Sequence, residues 1–364
     1  MRRYWKLGLG VVALFALLAI GVKAFQARIG MALMERTVKA RVGRDATAGL
    51  PDGLHVALCG TGSPLPDPTR AGPCSVVIAG KHIFVVDAGD GGARNIALMG
   101  IPTGRIEALF LTHFHSDHID GLGPIMLLRW GGGAAQSPLP IHGPPGVERV
   151  VAGFDAAYAL DNGYRTAHHG PKIMPPSGAG GVAIPFLLPP KGQGDTVVVL
   201  DNGGVKVTAF RADHAPVEPA VGYRFDYKGR SVVLSGDTRP TPTLIAVSKG
   251  ADLLVHEVLQ PKMVAMLTRS FDAKGQPNTA QITRDIIGYH STPEQAAQDA
   301  KAAGVRYLLL NHIVPPLPVR FAYPAFLGDA HLYYDGPITV GEDGMLLSLP
   351  AGSHEVILKR LLRR

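Results

Sequence analysis

The chain has 364 residues, 46% hydrophobic and 18% charged, with 45 Gly and 30 Pro, an ordinary balance for a globular protein with a large core and many tight loops. Its formal charge of +7 suggests nucleic acid, yet residues 1–50 hold nine Lys/Arg against two Asp/Glu and account for all of it. Residues 51–364 carry 27 charges of each sign, with no basic excess for a phosphate backbone, so nucleic acid is not an expected partner.

Arg2, Arg3 and Lys6 precede an apolar run from Leu7 to Val22. As a helix that run spans roughly 24 Å, and continuing through Ala27 with Lys23 snorkelling reaches roughly the 30 Å of a hydrocarbon core. Residues 1–30 are therefore expected to be a membrane anchor or a signal peptide. Val22-Lys23-Ala24 offers a weak cleavage site, and Ala24–Arg44 reads as an amphipathic extension. Cations ahead of the run put the N-terminus in the cytoplasm and the remainder in the periplasm or another extracytoplasmic space. Residues 31–53 are read as a linker and 54–364 as one catalytic domain.

From Leu54 the pattern turns to strands. Leu54–Leu58, Ser75–Ala79 and His82–Val86 are short apolar runs between Gly/Pro loops, Gly91–Met99 reads as a helix, and Ile106–Thr112 as a buried strand. Helices are predicted over His118–Arg129 and Gly146–Leu160, followed by a Gly/Pro-rich loop insertion at 170–195. Strands follow at Val197–Leu200, Val205–Phe210, Ala220–Tyr227, Ser231–Ser235 and 252–256. A helix over 293–303, a strand Val305–Leu310 and a β-rich end complete the chain. Strands, interleaved helices, and the same again predict two sheets between helical layers. Cys59 and Cys74 lack zinc-ligand spacing; they are read as buried thiols on neighbouring strands, with a disulfide as the alternative in an exported protein.

The chemistry concentrates in Thr112-His113-Phe114-His115-Ser116-Asp117-His118, where a buried strand ends. His113 and His115, two residues apart, project to one side, and Asp117 and His118 follow on the turn. Imidazole and carboxylate donors suit zinc, and two metals roughly 3.5–4 Å apart form a hydrolytic clamp. His214, Asp237 and His312 each lie just past a predicted strand, and Asp87 lies upstream in Val86-Asp87-Ala88-Gly89-Asp90.

This series resembles the H-x-H-x-D-H signature and the later motifs of the metallo-β-lactamase superfamily. The resemblance covers most of residues 54–315. It implies an α/β fold, the αββα four-layer sandwich, here carrying an N-terminal transmembrane or signal helix. It assigns His113, His115, His214 and a bridging Asp237 to one Zn2+, and Asp117, His118, Asp237 and His312 to a second, with Mn2+ as an alternative metal. Asp87 buttresses the histidine loop. Redox di-iron relatives replace the second histidine by Glu, whereas here it is His115, which favours zinc and hydrolysis.

Leu58-Cys59-Gly60-Thr61-Gly62-Ser63-Pro64, Ala220-Val221-Gly222-Tyr223-Arg224-Phe225, His256-Glu257 and His290-Ser291-Thr292 resemble the ribonuclease Z branch, which also holds arylsulfatase-like and phosphodiesterase-like enzymes. The resemblance makes His290 the proton donor to the leaving group, with Glu257 and His256 in support, and lets Asp117 orient the nucleophile and accept its proton. Ribonuclease Z inserts a tRNA-gripping arm where Tyr223 and Asp237 here lie only fourteen residues apart. The short span, the neutral body and the exported address favour a hydrolase of small sulfate or phosphate esters. Ribonuclease Z-type 3′-tRNA processing and lactone hydrolysis are the enzymatic alternatives, and a zinc-dependent binding protein the non-enzymatic one. His168-His169 could line the substrate entrance; Arg70 and Arg224 could meet an anionic ester or serve as structural ion-pair partners.

Overall fold

The computed structural model describes residues 2–362; Met1 and the terminal cations Arg363 and Arg364 lie outside the described residues, as do the side chains of Arg2, Arg3 and Lys6. The chain divides into two compact units, residues 1–45 and 46–364.

The first unit is a single helix, Arg2–Arg41. It continues beyond the apolar run because Met31–Arg41 contains neither Gly nor Pro, and Lys39 Nζ reaches Glu35 Oε1 one turn back at 2.6 Å. The segment read as a linker is thus helical as far as Arg41. Val12, Leu14, Phe15, Leu18 and Ile20 are all exposed. Within this helix Gly10–Arg41 is long and apolar enough to cross a membrane.

Among the described residues the second unit contains fifteen strands. They are β1 (Gly53–Gly60), β2 (Cys74–Ala79), β3 (His82–Val86), β4 (Ile106–Phe110), β5 (Leu139–Gly143), β6 (Gly181–Pro185), β7 (Thr196–Asn202) and β8 (Val205–Arg211). The rest are β9 (Val221–Tyr227), β10 (Arg230–Leu234), β11 (Leu253–Leu259), β12 (Leu308–Val314), β13 (Ile338–Val340), β14 (Met345–Pro350) and β15 (Ile357–Arg360). One sheet runs β15-β14-β1-β2-β3-β4-β5-β6, the other β13-β12-β11-β10-β9-β8-β7.

Alternation along the strands sends one set of apolar side chains between the sheets and the other outward. Leu58, Phe84 and Phe110 meet Val207, Phe225 and Val255 in the inner layer, each such buried side chain contributing about 1.5–3 kcal/mol. Helices Gly92–Met99, Leu122–Gly133 and Val147–His169 cover the first sheet through Ile96, Met126 and Val151. Helix Pro293–Ala303 presents Ala296, Ala297 and Ala300 to Leu254 and Leu308 of the second. The four αββα layers are those expected.

Several boundaries differ from the sequence reading. The 170–195 segment contains β6, whose Gly181–Pro185 pairs in parallel with β5 and extends the sheet edge; a five-residue strand with a Gly and a Pro has no readable period. The helix begun at Val147 runs to His169, and the strand expected at 305–310 is Leu308–Val314. Helices Pro261–Ala273 and Pro277–Asp285 were not anticipated; each opens on a proline, whose fixed φ suits a first turn. Cys59 and Cys74 form a disulfide and not a pair of free thiols. Antiparallel pairing of β1 with β2, shifted between Leu58 and Gly60, brings their Cα atoms to 5.0 Å, within bridging range.

Candidate metal centre

Parallel strands β4, β11 and β12, with β8 and β10, end at one rim of the sandwich, and the predicted residues gather there. Asp237 is the hub. Its Oδ2 lies 3.3 Å from His312 Nε2, 3.4 Å from His118 Nε2, and 3.9 Å from both His113 Nε2 and His214 Nε2. His115 Nδ1 lies 3.0 Å from His113 Nε2 and 3.5 Å from His214 Nε2, while Asp117 Oδ2 lies 3.3 Å from His312 Nε2 and 3.6 Å from His118 Nε2. Two donor sets emerge, His113/His115/His214/Asp237 and Asp117/His118/His312, with each set's ligand atoms within 4.8 Å of one another. Their side chains are buried except for the partly exposed His115.

The backbone is shaped around this cluster. Gly236 takes φ +61°, and a Cβ there would sit 2.5 Å from the Val221 carbonyl, so only glycine delivers Asp237 to this position. Asp87 and His312 adopt φ +59° and +49° without being glycine, a cost borne at the site itself. Asp87 accepts from the Thr112 backbone N–H at 2.9 Å and meets His118 Nδ1 at 2.9 Å. His214 Nδ1 is turned by the Tyr289 carbonyl at 3.0 Å. Such outer contacts fix imidazole orientation and leave the other nitrogen for a ligand.

The donor set fits divalent cations. Among the described residues His118 Nε2 is buried with no well-formed hydrogen bond, facing only the Asp237 and Asp117 carboxylates at 3.4 and 3.6 Å, an arrangement that a cation would relieve. A space of about 30 Å³ lies among Asp87, Thr112, His118, Asp237, Glu257 and His312. Burial opposes charge on His312, but the Asp237 and Asp117 carboxylates outweigh it and raise its pKa to about 8. His118 is likewise raised against burial by Asp237, Asp117 and Asp87, whereas burial holds His113 well below its ordinary value. Burial alone would raise Asp237, yet the facing His312 and His118 hold it well below the usual carboxylate range. The pocket is built to hold positive charge.

Beside the cluster, His290 Nδ1 lies 3.1 Å from Glu257 Oε2, and Glu257 Oε1 accepts from the backbone N–H groups of Ser291 at 2.9 Å and Thr238 at 3.2 Å. Asp237, His290 and His312 also form a close group. His256, expected beside Glu257, is not brought to the site. Neighbouring strand residues face opposite sides, so its Nε2 points to Asp299 at 3.5 Å, on the helix Pro293–Ala303. Arg70 is partly buried and tied to Thr61, Gly341 and Tyr323, and Arg224 pairs with Asp226; both are held in structural contacts. His168 and His169 end an outer helix. Sequence reading gave Thr112 no role and missed Tyr289, whose only signal is adjacency to His290.

A family model, the beta-lactamase superfamily domain, matches residues 82–313. The chain belongs to the β-lactamase superfamily. Within it the chain sits on the ribonuclease Z branch. A protein named Ribonuclease Z from Mycobacterium avium (strain 104) is 41% identical over 266 residues, 72% of this chain and 87% of its own length. Another of that name from Mycolicibacterium gilvum (strain PYR-GCK) is 41% identical over 72% of this chain and 85% of its own. Human tRNase Z, short form, shares the fold at TM-score 0.54 and 23% identity, over 81% of this chain and 99% of its own. The metallo-beta-lactamase fold protein YhfI from Bacillus subtilis does so at TM-score 0.55 and 21% identity, over 81% and 98%.

This member of the superfamily is a metal-dependent hydrolase. Its relatives correct the expectation of a small sulfate or phosphate ester as substrate and of a partner set without nucleic acid. Proteins sharing about two residues in five over most of their length bear the name of a ribonuclease. Net charge misled because it averages the whole surface, whereas phosphate recognition acts within a screening length of about 10 Å. The short Tyr223–Asp237 span speaks to how a substrate is gripped and not to which bond is cut.

Proposed function

We propose that the chain is an RNA phosphodiesterase of the ribonuclease Z type, a 3′-tRNA processing endonuclease in chemistry. The observation that carries this reading is the convergence of four imidazoles on Asp237 Oδ2, with the His290–Glu257 pair beside them. The relatives' shared name supports RNA as the substrate.

His113, His115, His214 and Asp237 would hold one divalent ion, zinc by their chemistry, and Asp117, His118, His312 and Asp237 a second. Bound there, two such ions would supply Lewis acidity toward phosphoryl oxygens and lower the pKa of water to roughly 7. Asp117 orients the attacking water and takes its proton. As the new P–O bond forms, the P–O bond to the departing ribose oxygen breaks, and His290 gives that oxygen a proton. Glu257 holds His290 through Nδ1, leaving Nε2 for the transfer, and is itself fixed by the two backbone N–H donors.

The helix Gly10–Arg41 is proposed to anchor the chain, with the catalytic unit on the extracytoplasmic side. The Cys59–Cys74 disulfide supports that address, because such bonds persist in oxidising compartments. The RNA met there would be RNA outside the cytoplasm.

The test is cleavage of a precursor tRNA carrying a 3′ extension by zinc-loaded protein, with His290→Ala alongside. Endonucleolytic release of the extension is expected, and His290→Ala should keep its metal while turnover falls by roughly 10²–10⁴. Intact RNA with the wild-type protein would reject the reading.

A further inference from the structure

We infer that Tyr289 binds the RNA substrate by stacking on the nucleobase of the nucleotide whose ribose oxygen departs. The inference rests on the RNA phosphodiesterase reading above. Tyr289 closes the short 3-10 turn Ile286–Tyr289, after the helix Pro277–Asp285, and is half-buried. Its ring centroid lies 4.6 Å from that of His214, meeting it edge-on at 83°, 6.5 Å from His115 and 4.7 Å from His290. His214 and His290 pack on each other at 5.2 Å, and the Tyr289 ring flanks both; it is the only aromatic ring other than histidine paired with His214, His115 or His290 among the described residues.

Position decides which nucleotide it meets. The oxygen that accepts a proton from His290 must lie within hydrogen-bond reach of that imidazole, about 2.6–3.2 Å. The ribose bearing this oxygen then sits over His290, and its base falls beside the neighbouring ring. An aromatic face takes any base, since every base has a π surface, and single-stranded RNA ends are held by such stacking. The Tyr289 carbonyl already positions His214, so one residue sets the imidazole with its backbone and meets the substrate with its side chain.

The experiment compares wild type, Tyr289→Leu and Tyr289→Trp on two precursor RNAs, one intact and one abasic at the nucleotide 5′ of the cleaved bond. Metal content is measured for each protein. On the intact RNA Tyr289→Leu should lose about tenfold or more in kcat/KM, the equivalent of one stacked base, while Tyr289→Trp stays near wild type. On the abasic RNA wild type and Tyr289→Leu should be equal, with metal content unchanged throughout. An equal loss on both RNAs, or a loss that follows lost metal, overturns the stacking role and leaves the phosphodiesterase reading intact. A wild-type protein that cuts neither RNA overturns both.

Discussion

At the residue scale, Asp237 concentrates the chemistry. A single carboxylate oxygen faces four imidazole nitrogens at 3.3–3.9 Å, two from each donor set, which places it to serve both. Asp237→Ala should remove most of the metal from the protein, read by elemental analysis of dialysed samples; full retention would refute the shared ligand. His312 gives a pH dependence whose sign follows from its pKa of about 8. Burial pushes that pKa down, but Asp237 and Asp117 push it further up, so below about pH 8 the imidazole holds a proton that a metal must displace. Apparent zinc affinity should therefore weaken as pH falls from 8.5 to 6.5, and competition with a chromophoric chelator would show it. An affinity flat across that window would show that the proton is not competing.

At the scale of elements, the site depends on loops held by their strands. The disulfide ties β1 to β2 and closes a loop of fifteen residues separation that contains Thr61 and Arg70. Arg70 in turn reaches Gly341, and Asp343 accepts from Thr61 and Ala71, so this loop is stitched to the far end of the chain. Loop-closure entropy puts the bond at about 3 kcal/mol. The Cys59→Ser/Cys74→Ser double variant should lower the urea midpoint with little change in slope, whereas an unchanged midpoint would mean the surrounding hydrogen bonds suffice. The β11 strand shows the same dependence at finer grain. Its alternation sends Glu257 to His290 and His256 to Asp299, so adjacent residues in one motif have different tasks.

For the whole molecule, the charge distribution separates two roles. The excess positive charge belongs to residues 1–50, which include the exposed apolar helix, and the catalytic unit is neutral. That partition suits a chain whose first segment meets a membrane surface and whose remainder does not. A reporter enzyme that is active only outside the cytoplasm, fused after residue 50, should be active in cells, and the full chain should sediment with membranes. An inactive reporter together with soluble full-length protein would overturn both the anchor and its orientation.

The sequence by itself determined the metal motifs, their order, and their place at strand ends. It also marked the four-layer sandwich and the membrane-length helix. These were legible because each is local: a H-x-H-x-D-H run, a buried strand of consecutive apolar residues, a cation-flanked apolar stretch. Tertiary structure decided what depends on contacts between distant residues. Asp117 and His312, 195 positions apart, meet only because β4 and β12 end on the same rim; Cys59 reaches Cys74 only through the β1–β2 register. The short strand β6 exists because β5 offers it an edge, and Tyr289 reaches His214 only through a 75-residue separation. Substrate class lay beyond both net charge and motif spacing, since the same metal-holding geometry serves any ester that the surrounding surface admits.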